Sequence, residues 1–193
     1  MTRENLASFI LATIPLHPQK VEEIVAHFST MEIGKNEYFI TAGQYSNRYL
    51  YLEKGFIRAF TFDTEGNEVT TAFYNSNQVV FEVAAFFQKT VSKENFQALE
   101  DCCGWYIDYD QLQLLFHTVP EFREFGRMIL VKGFAAFKQR TLSLINETAE
   151  QRYETLVQTR PELFQKAPLK HIASYLGITD SSLSRIRREF SGK

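Results

Sequence analysis

The chain has 193 residues, of which 45% are hydrophobic and 23% are charged, and it contains 18 Phe, 9 Tyr and 1 Trp. This apolar and aromatic content excludes a disordered chain, a collagen and a coiled-coil rod, and it predicts one medium domain with a small appendage. The formal net charge of -2 argues against a nonspecific polycation for nucleic acid or membrane surfaces.

Charge is distributed unevenly along the chain. Residues 166–193 contain six Lys or Arg residues and two acidic residues, whereas residues 1–165 contain 15 basic and 21 acidic residues. A basic C-terminal segment on an acidic body predicts a polyanionic partner at that end of the molecule.

The first two segments predict helices. Leu6–Leu16 is typical of an amphipathic helix rather than of a signal sequence, because Pro15 interrupts it and no small-residue cleavage site follows it. A second helix is predicted from Pro18 to about His27, with proline near its first turn. No apolar run approaches the ~20 residues that span a bilayer. We therefore expect a cytoplasmic protein with no membrane partner.

From Met31 to Tyr109 the chain changes to short segments rich in β-branched and aromatic residues, separated by glycines. The segments are MEIGKNEYFI, YLYLEKGFIRAFTF, EVTTAFYN and CGWYIDY. The sequence TEGNE at residues 64–68 predicts a hairpin between two of them. The pattern predicts an antiparallel β-roll or barrel.

Beyond Pro120 the chain becomes helical, and we predict one long helix over residues 120–145, followed by a second helix capped near Asn146. Apolar or small residues cover most of the circumference of the long helix, and a roll packed on one side of it would cover only one stripe of them. We expect a symmetric homodimer, with Gly133 allowing close approach and with an interface formed by Ile129, Leu130, Gly133, Phe134 and Phe137. The alternative is a central helix buried inside one monomer.

The segment LKHIASYLGITDSSLSRIRREF, residues 169–190, fits a helix-turn-helix. Ala173 is the small residue at the helix crossing, Gly177 occupies the turn and Thr179 is the N-cap of the second helix. Five apolar residues are expected to face inward: Ile172, Leu176, Ile178, Leu183 and Ile186. Ser and Arg on the opposite face are residue types that bond bases and phosphates. We predict DNA contacts by Lys170, Thr179, Ser181, Ser182, Arg185, Arg187 and Arg188.

These segments together resemble the Crp-Fnr family of bacterial transcription regulators over nearly the whole chain. The resemblance implies an α+β fold: an N-terminal antiparallel β-roll, cupin-like and like a cyclic-nucleotide-binding domain, then a long dimerisation helix and a small all-α helix-turn-helix domain. The implied boundaries are a sensor domain at 1–118, the dimerisation helix at 119–145 and the DNA-binding domain at 146–193. It also implies a homodimer that places recognition helices in successive major grooves about 34 Å apart, with double-stranded DNA, RNA polymerase and a small-molecule effector as candidate partners.

The effector pocket departs from the cyclic-nucleotide-binding members of that family. Glu82 matches their ribose-binding carboxylate, but Phe81 stands in place of the preceding glycine and Glu94-Asn95 falls where an Arg-Ser pair binds the cyclic phosphate. A carboxylate there repels a phosphate. Lys89 and Lys93 are the remaining candidates for an effector site with Glu82, and the effector itself stays unidentified. Phe81, Phe86 and Phe87 are interpreted as fillers of the roll interior.

Other sensor chemistries are poorly supported by the composition. The two cysteines, Cys102 and Cys103, are adjacent, which excludes a disulfide framework, a C-x-x-C metal site and a four-thiolate iron-sulfur cluster. The four histidines are scattered, so we predict no haem and no other cofactor. Only residues 159–168 separate the helices ahead of the reading motif, so we expect no β-hairpin wing.

Two other classes of protein stay open as alternatives. A cupin-like metalloenzyme needs His and Glu ligands on neighbouring strands, and residues 31–109 contain no His. A dimeric binding module without DNA function is disfavoured by the cluster of Arg185, Arg187 and Arg188. A cyclic-nucleotide-responsive regulator is the third alternative. We predict a regulator that is not an enzyme and has no metal site.

Overall fold

Two short helices precede the sheets in the computed structural model, which describes residues 2–191. They are α1, Glu4–Thr13, and α2, Pro18–Ala26. The first ends earlier than the predicted Leu16, because Ile14, which precedes a proline, is extended. The second begins at its proline as predicted, since proline in the first helical turn costs no hydrogen bond.

Within the described residues, eight strands form two four-stranded antiparallel sheets. The strands are β1 Ser29–Ile33, β2 Tyr38–Ile40, β3 Arg48–Lys54, β4 Phe56–Phe62, β5 Glu68–Asn75, β6 Gln78–Val80, β7 Asn95–Ala98 and β8 Cys102–Asp108. One sheet has the order β1-β8-β3-β6 and the other has the order β2-β7-β4-β5. The predicted α+β fold with an antiparallel β-roll is confirmed.

The segment YLYLEKGFIRAFTF, residues 49–62, forms two strands that belong to different sheets. Gly55 separates them with a φ of +118°, and a Cβ at this position would lie 2.4 Å from the Cys102 Sγ. Only glycine fits this corner, both for its backbone angle and for the close approach of Cys102. The corner closes the roll by passing the chain from one sheet to the other.

The hairpin at residues 64–68 is confirmed. It joins β4 to β5, and the Asp63 carboxylate accepts hydrogen bonds from the backbone N–H groups of Glu65 and Asn67 at 2.9 and 2.8 Å. These bonds hold the pKa of Asp63 below its usual value. Gly66 supplies the positive φ that the turn requires.

Over residues 2–191, six further helices follow the first two and a short α3, Val83–Gln88, which the sequence did not predict. They are α4 Tyr109–Thr118, α5 Pro120–Asn146, α6 Ala149–Thr159, α7 Leu163–Lys166, α8 Leu169–Leu176 and α9 Asp180–Ser191. The long helix α5 matches the predicted 120–145 within one residue. The cap of α6 is Thr148 rather than Asn146, because Thr148 and Gln151 form a reciprocal capping box.

Three clusters of buried apolar residues hold the molecule together. One lies between the β1-β8-β3-β6 sheet and helices α1, α2, α4 and α5, one fills the roll, and one joins the C-terminal helices to Phe56 and Phe73 of the roll. Phe81 and Phe86 are buried and Phe87 is partly buried, so they are core residues as predicted. They belong to the cluster beneath the helices, however, and not to the roll interior.

The middle of α5 is exposed on the single chain. Its two fully buried residues, Phe122 and Phe125, lie in its first turns, whereas Phe134 is 68% and Phe137 65% exposed. The alternative of a central helix buried inside one monomer is therefore wrong. Among residues 2–191, no helix combines the length and the hydropathy needed to cross a membrane.

Candidate nucleic-acid interface

Helices α8 and α9 form the helix-turn-helix that the sequence predicts. Gly177 ends α8 with a φ of +69°, and the N–H of Ile178 donates to the Ala173 carbonyl at 3.0 Å. This αL turn with a bond reaching back into the helix is a normal helix end, and glycine adopts it without steric cost. Ala173 is 1% exposed. Its small side chain lies in the core between the helices.

The second helix begins at a threonine cap, as predicted. The Thr179 hydroxyl accepts a hydrogen bond from the Ser182 N–H at 3.3 Å, and the Thr179 oxygen lies 3.0 Å from the hydroxyl oxygens of Ser181 and Ser182. The cap satisfies one of the donors that a helix start leaves free. It also fixes three small hydroxyl groups at the N-terminal end of α9.

The two faces of α9 differ in chemistry. Leu183 and Ile186 are buried, and the Phe190 ring packs against Tyr153 at 5.2 Å between centroids. Ser181 and Arg185 are exposed on the opposite face, and Arg188 and Arg187 are exposed as well. Residues i, i+4 and i+7 share one side of a helix, so Ser181, Arg185 and Arg188 form one outward face. We call these three residues the reading face.

Two of the predicted DNA contacts are already engaged. Thr179 caps the helix, and its hydroxyl bonds the hydroxyl of the half-buried Ser182. Lys170 lies exposed on α8.

Glu150, at the start of α6, is a neighbour of Arg185 that the sequence did not reveal. Hydrogen bonds with the backbone and with Thr148 lower the pKa of the Glu150 carboxyl, and the charges of Arg185 and Arg152 lower it further. Arg185 is thus close to one carboxylate of its own chain.

The connection ahead of α8 contains no strand. Residues 160–168 form turns around the short helix α7, and Leu163 and Ala167 are buried against the C-terminal core. The prediction that no β-hairpin wing precedes the reading motif is confirmed for this segment.

Helix α8 docks on the edge strand β5 of the roll through polar contacts that the sequence did not predict. The Ser174 hydroxyl donates to the Thr70 hydroxyl at 2.8 Å and accepts from the Thr70 N–H at 3.1 Å. The Tyr175 ring packs on Phe73 at 5.3 Å. Thr70 is buried, so these bonds form in a largely dry contact and attach α8 to the roll.

Arg140 of the long helix connects the roll and α8. One guanidinium nitrogen donates to the Thr70 carbonyl at 3.2 Å and to the Tyr175 carbonyl at 2.9 Å. The guanidinium carbon lies 4.5 Å from the Tyr175 ring centroid. A cation near the last carbonyls of α8 is favoured by the helix dipole. One side chain thus contacts all three parts of the molecule.

A second buried contact joins the roll to α8. Arg58 of β4 is 1% exposed, donates to the Thr70 hydroxyl and to Glu68 at 2.8 and 2.6 Å, and lies 3.4 Å from the His171 ring nitrogen. Burial lowers the pKa of His171 to about 4, and the positive charges of Arg58 and Lys170 act in the same direction, opposed by Glu68. His171 is therefore neutral at pH 7.

The three candidate effector residues, Glu82, Lys89 and Lys93, each make separate contacts. Glu82 caps α3, accepting from the backbone N–H groups of Ala84 and Ala85. The Lys89 ammonium lies 4.6 Å from the Tyr109 ring centroid, and Lys93 is exposed and accepts a bond from Thr61 through its carbonyl. Within the described residues, no hydrogen bond or ion pair joins these three side chains.

Glu94, which is partly buried, stands at the sequence position where the family resemblance implies a phosphate-binding arginine. Burial raises the pKa of Glu94; a hydrogen bond from Thr71 opposes this, Glu82 raises it further and Arg140 lowers it. Asn95 beside it is buried and accepts from the Ala42 N–H at 2.9 Å. The local chemistry is acidic, and it is unfavourable for a phosphate.

The predicted interface residues on α5 form a mostly exposed apolar stripe. Leu130, Phe134 and Phe137 are exposed, and a Cβ at Gly133 would meet nothing within 4 Å. Ile129 is half-buried and packs on the cluster beneath the helices. We call Leu130, Gly133, Phe134 and Phe137 the apolar stripe.

Comparison with known proteins identifies the fold. Residues 30–118 match the cyclic nucleotide-binding domain family. The chain superposes on the c-di-GMP-responsive global regulator CLP of Xanthomonas campestris with a TM-score of 0.71 and 16% identity, covering 91% of this chain and 92% of that one. CooA from Carboxydothermus hydrogenoformans gives 0.71 and 19%, covering 95% and 83%. Among curated protein sequences, none matches.

A third solved structure also superposes over most of both chains. It is described as a transcriptional regulator of the Crp/Fnr family from Eubacterium rectale, with a TM-score of 0.68 and 14% identity, and the match covers 91% of this chain and 84% of that one. Together with the domain match, these superpositions confirm the resemblance that the sequence motifs indicate.

Proposed function

From a chain that has the fold of the Crp-Fnr regulators, with a cyclic nucleotide-binding domain at residues 30–118, we propose a sequence-specific DNA-binding transcriptional regulator. Its proposed parts are a sensor domain at 1–118, a dimerisation helix at 119–145 and a DNA-binding domain at 146–193. The proposed role is regulatory and not catalytic, and its setting is the cytoplasm.

The observation that carries this proposal is the reading face. Ser181, Arg185 and Arg188 face outward on a helix whose other side is anchored by Leu183 and Ile186 in a helix-turn-helix core. Arginine bonds guanine bidentately in the major groove, and serine bonds bases or phosphates. Lys170 and Arg187 are the proposed phosphate contacts, and Thr179 and Ser182 position the end of the helix that enters the groove.

A homodimer supports this mode of binding. The apolar stripe exposes two phenylalanines on a helix of 27 residues, and a second copy of the same stripe would cover them. Gly133 would let the two helices approach closely, and Ile129 would flank the contact. Two recognition helices held by paired long helices would enter successive major grooves about 34 Å apart.

We propose that the roll responds to an effector other than a cyclic nucleotide. Glu94-Asn95 falls where the family resemblance implies the Arg-Ser pair that binds a cyclic phosphate, and Glu82 is engaged as the cap of α3. A ligand in the roll would act on DNA binding through the contacts that Thr70 and Arg140 make with α8. RNA polymerase is a further proposed partner of the DNA-bound dimer.

The test is the affinity for a duplex selected from random DNA, measured by fluorescence anisotropy. We expect the affinity to fall steeply with salt, and Arg185→Ala to cost about 1–3 kcal/mol of binding free energy and to relax base preference at one position. Lys35→Ala removes one exposed charge from the roll and should leave the affinity unchanged.

If Arg185→Ala binds the selected duplex and random duplexes as tightly as the unmodified protein does, the assignment of the reading face is contradicted.

A further inference from the structure

The contact between the roll and the C-terminal helices is buried but incompletely hydrogen-bonded. Of the four buried side-chain atoms that have no partner within the described residues, three lie in this contact: Arg58 Nη2, Asn75 Oδ1 and Arg140 Nε. Other atoms of the same three side chains bond or approach residues of the segment 162–175. A buried polar atom without a partner destabilises the closed contact, because opening would allow water to bond that atom.

The hydrogen bonds that cross this contact can be exchanged for bonds to water. Ser174 and Thr70 bond each other through hydroxyl and N–H groups, and Arg140 donates to carbonyls on both sides. Such bonds have a small net effect on stability, because water makes equivalent bonds in an open form. The Tyr175 ring on Phe73 adds an apolar contact. A contact of this polar kind between two parts of one chain is typical of parts that move relative to each other.

His171 is a titratable side chain inside this contact. Its Nε2 atom lies 3.4 Å from Arg58 Nη1, and Arg58 is 1% exposed. The charged groups that act on the ring are Arg58 from β4, Lys170 from α8 itself and Glu68 from β5. The Glu68 carboxylate already bonds Arg58 at 2.6 Å. A protonated ring would therefore face a buried positive charge whose carboxylate partner is engaged.

The other elements packed on α8 do not offset this charge. Arg140 of α5 and Arg152 of α6 donate to the last carbonyls of α8, so both bring positive charge to it. Lys166, at the end of α7, is paired with a carboxylate of the roll. Helix α9 packs on α8 through the apolar side chains of Leu183 and Ile186.

We infer that protonation of His171 opens the contact between the roll and α8, so that the helix-turn-helix is released from its own roll at low pH. Above pH 6.5 the ring is neutral in the closed and the open form, and the contact keeps its full stability. Burial, together with the charge of Arg58, lowers the pKa of His171 to about 4 in the closed form, so the open form takes up the proton first. The closed form is therefore lost progressively as the pH falls from 6.5 toward 4.

The test is hydrogen exchange of the Thr70 amide in the full chain, followed by NMR from about pH 7.5 to about pH 5.5 and divided by the intrinsic exchange rate at each pH. The Thr70 N–H donates across the contact to the Ser174 hydroxyl, so its exchange reports opening. We expect the open fraction to rise about tenfold over this range, because His171 titrates at about 4 in the closed form and at its ordinary 6.5 in the open form. Amides of β3, inside the roll, should show no such rise.

Two variants separate a titrating side chain from a structural one. His171→Gln keeps a neutral polar side chain and should remove most of the rise. Arg140→Gln removes bonds across the contact without adding a titrating group, so it should increase the open fraction by a similar factor at every pH and keep the rise. His17→Gln, at an exposed histidine, should follow the unmodified protein.

The NMR titration of the His171 ring in the unmodified protein provides a check that needs no variant. We expect the midpoint to lie well below the ordinary 6.5. A midpoint at or above 6.5, an open fraction that does not rise with acid, or a rise of the same size in His171→Gln would overturn the proposal.

The outcome is separable from that of the DNA experiment. An effect of opening on DNA recognition rests on the proposed function, whereas the opening itself does not. A chain that opens with acid and binds no duplex would retain the His171 device and refute the proposed function. Selective DNA binding by a chain whose exchange does not depend on His171 would refute the device alone.

Discussion

At the scale of single residues, His171 is the titratable group that makes the contact between the roll and α8 sensitive to low pH. Its pKa is lowered to about 4 in the folded chain, from an ordinary 6.5, so the unfolded chain binds the proton more readily. The neutral ring therefore contributes stability that is present above pH 6.5 and is lost as the pH falls toward 4.

We expect the free energy of unfolding to decrease over this window, relative to His171→Gln, by an amount on the order of 3 kcal/mol. Urea denaturation at successive pH values measures it, and His17→Gln, an exposed histidine, is the matched control that should follow the unmodified protein. Parallel curves for the unmodified protein and His171→Gln would show that the ring is not buried as described.

A substitution at Gly177 tests the role of the turn in the helix-turn-helix. With φ at +69°, an alanine would be strained, and its Cβ would lie 3.2 Å from Leu144. We expect Gly177→Ala to lower the unfolding free energy by about 1–2 kcal/mol and to weaken DNA binding. Gly66→Ala, at φ +84° in an open hairpin, should cost similar stability but no DNA affinity. Equal DNA affinity of the two variants would contradict the role of this turn.

At the scale of elements, the proposed homodimer accounts for the exposed apolar residues of the long helix. Phe134 and Phe137 are more exposed than a stable monomer favours, and they lie on the same helix as Gly133.

We expect Phe134→Lys to give a monomer, because a charge in a paired apolar contact must be desolvated without a partner. Sedimentation velocity measures the mass. Phe62→Lys, on an exposed phenylalanine of the roll, is the control and should remain dimeric. A Phe134→Lys variant with the mass of the unmodified dimer would exclude this stripe as the interface.

The elements differ in how far the sequence determines them. The turn glycine, the Thr179 cap and the hairpin at residues 64–68 depend on neighbouring residues, and all were predictable. The break between strands at Gly55 was predictable, whereas its close approach to Cys102, which is 47 positions away in the chain, was not. Short elements such as β6 and α3 lack enough residues to show a period.

The docking of α8 on the roll was also missed, for the same physical reason. Ser174 and Thr70 are ordinary polar residues in isolation, and their bond exists only because the two parts are folded against each other. Arg140 looked like one more charge on a long helix, yet it bonds carbonyls on both the roll and α8. The candidate reading face followed from helical periodicity, whereas the route from the roll to it did not.

At the scale of the whole molecule, one chain leaves two surfaces uncovered, the apolar stripe and the reading face. Arg140, on the same helix as the apolar stripe, bonds carbonyls of both the roll and α8. These features fit a molecule in which the sensor, the dimer contact and the reading helix are mechanically linked through α5. The account therefore predicts that DNA recognition is a property of the pair and not of the single chain.

The most direct measurement is the stoichiometry and spacing dependence of binding to a selected two-fold-symmetric duplex, by sedimentation velocity. The account predicts two chains per duplex, and loss of the complex when about five base pairs, half a helical turn, are inserted between the half-sites. One chain per duplex, or binding indifferent to that insertion, would contradict it.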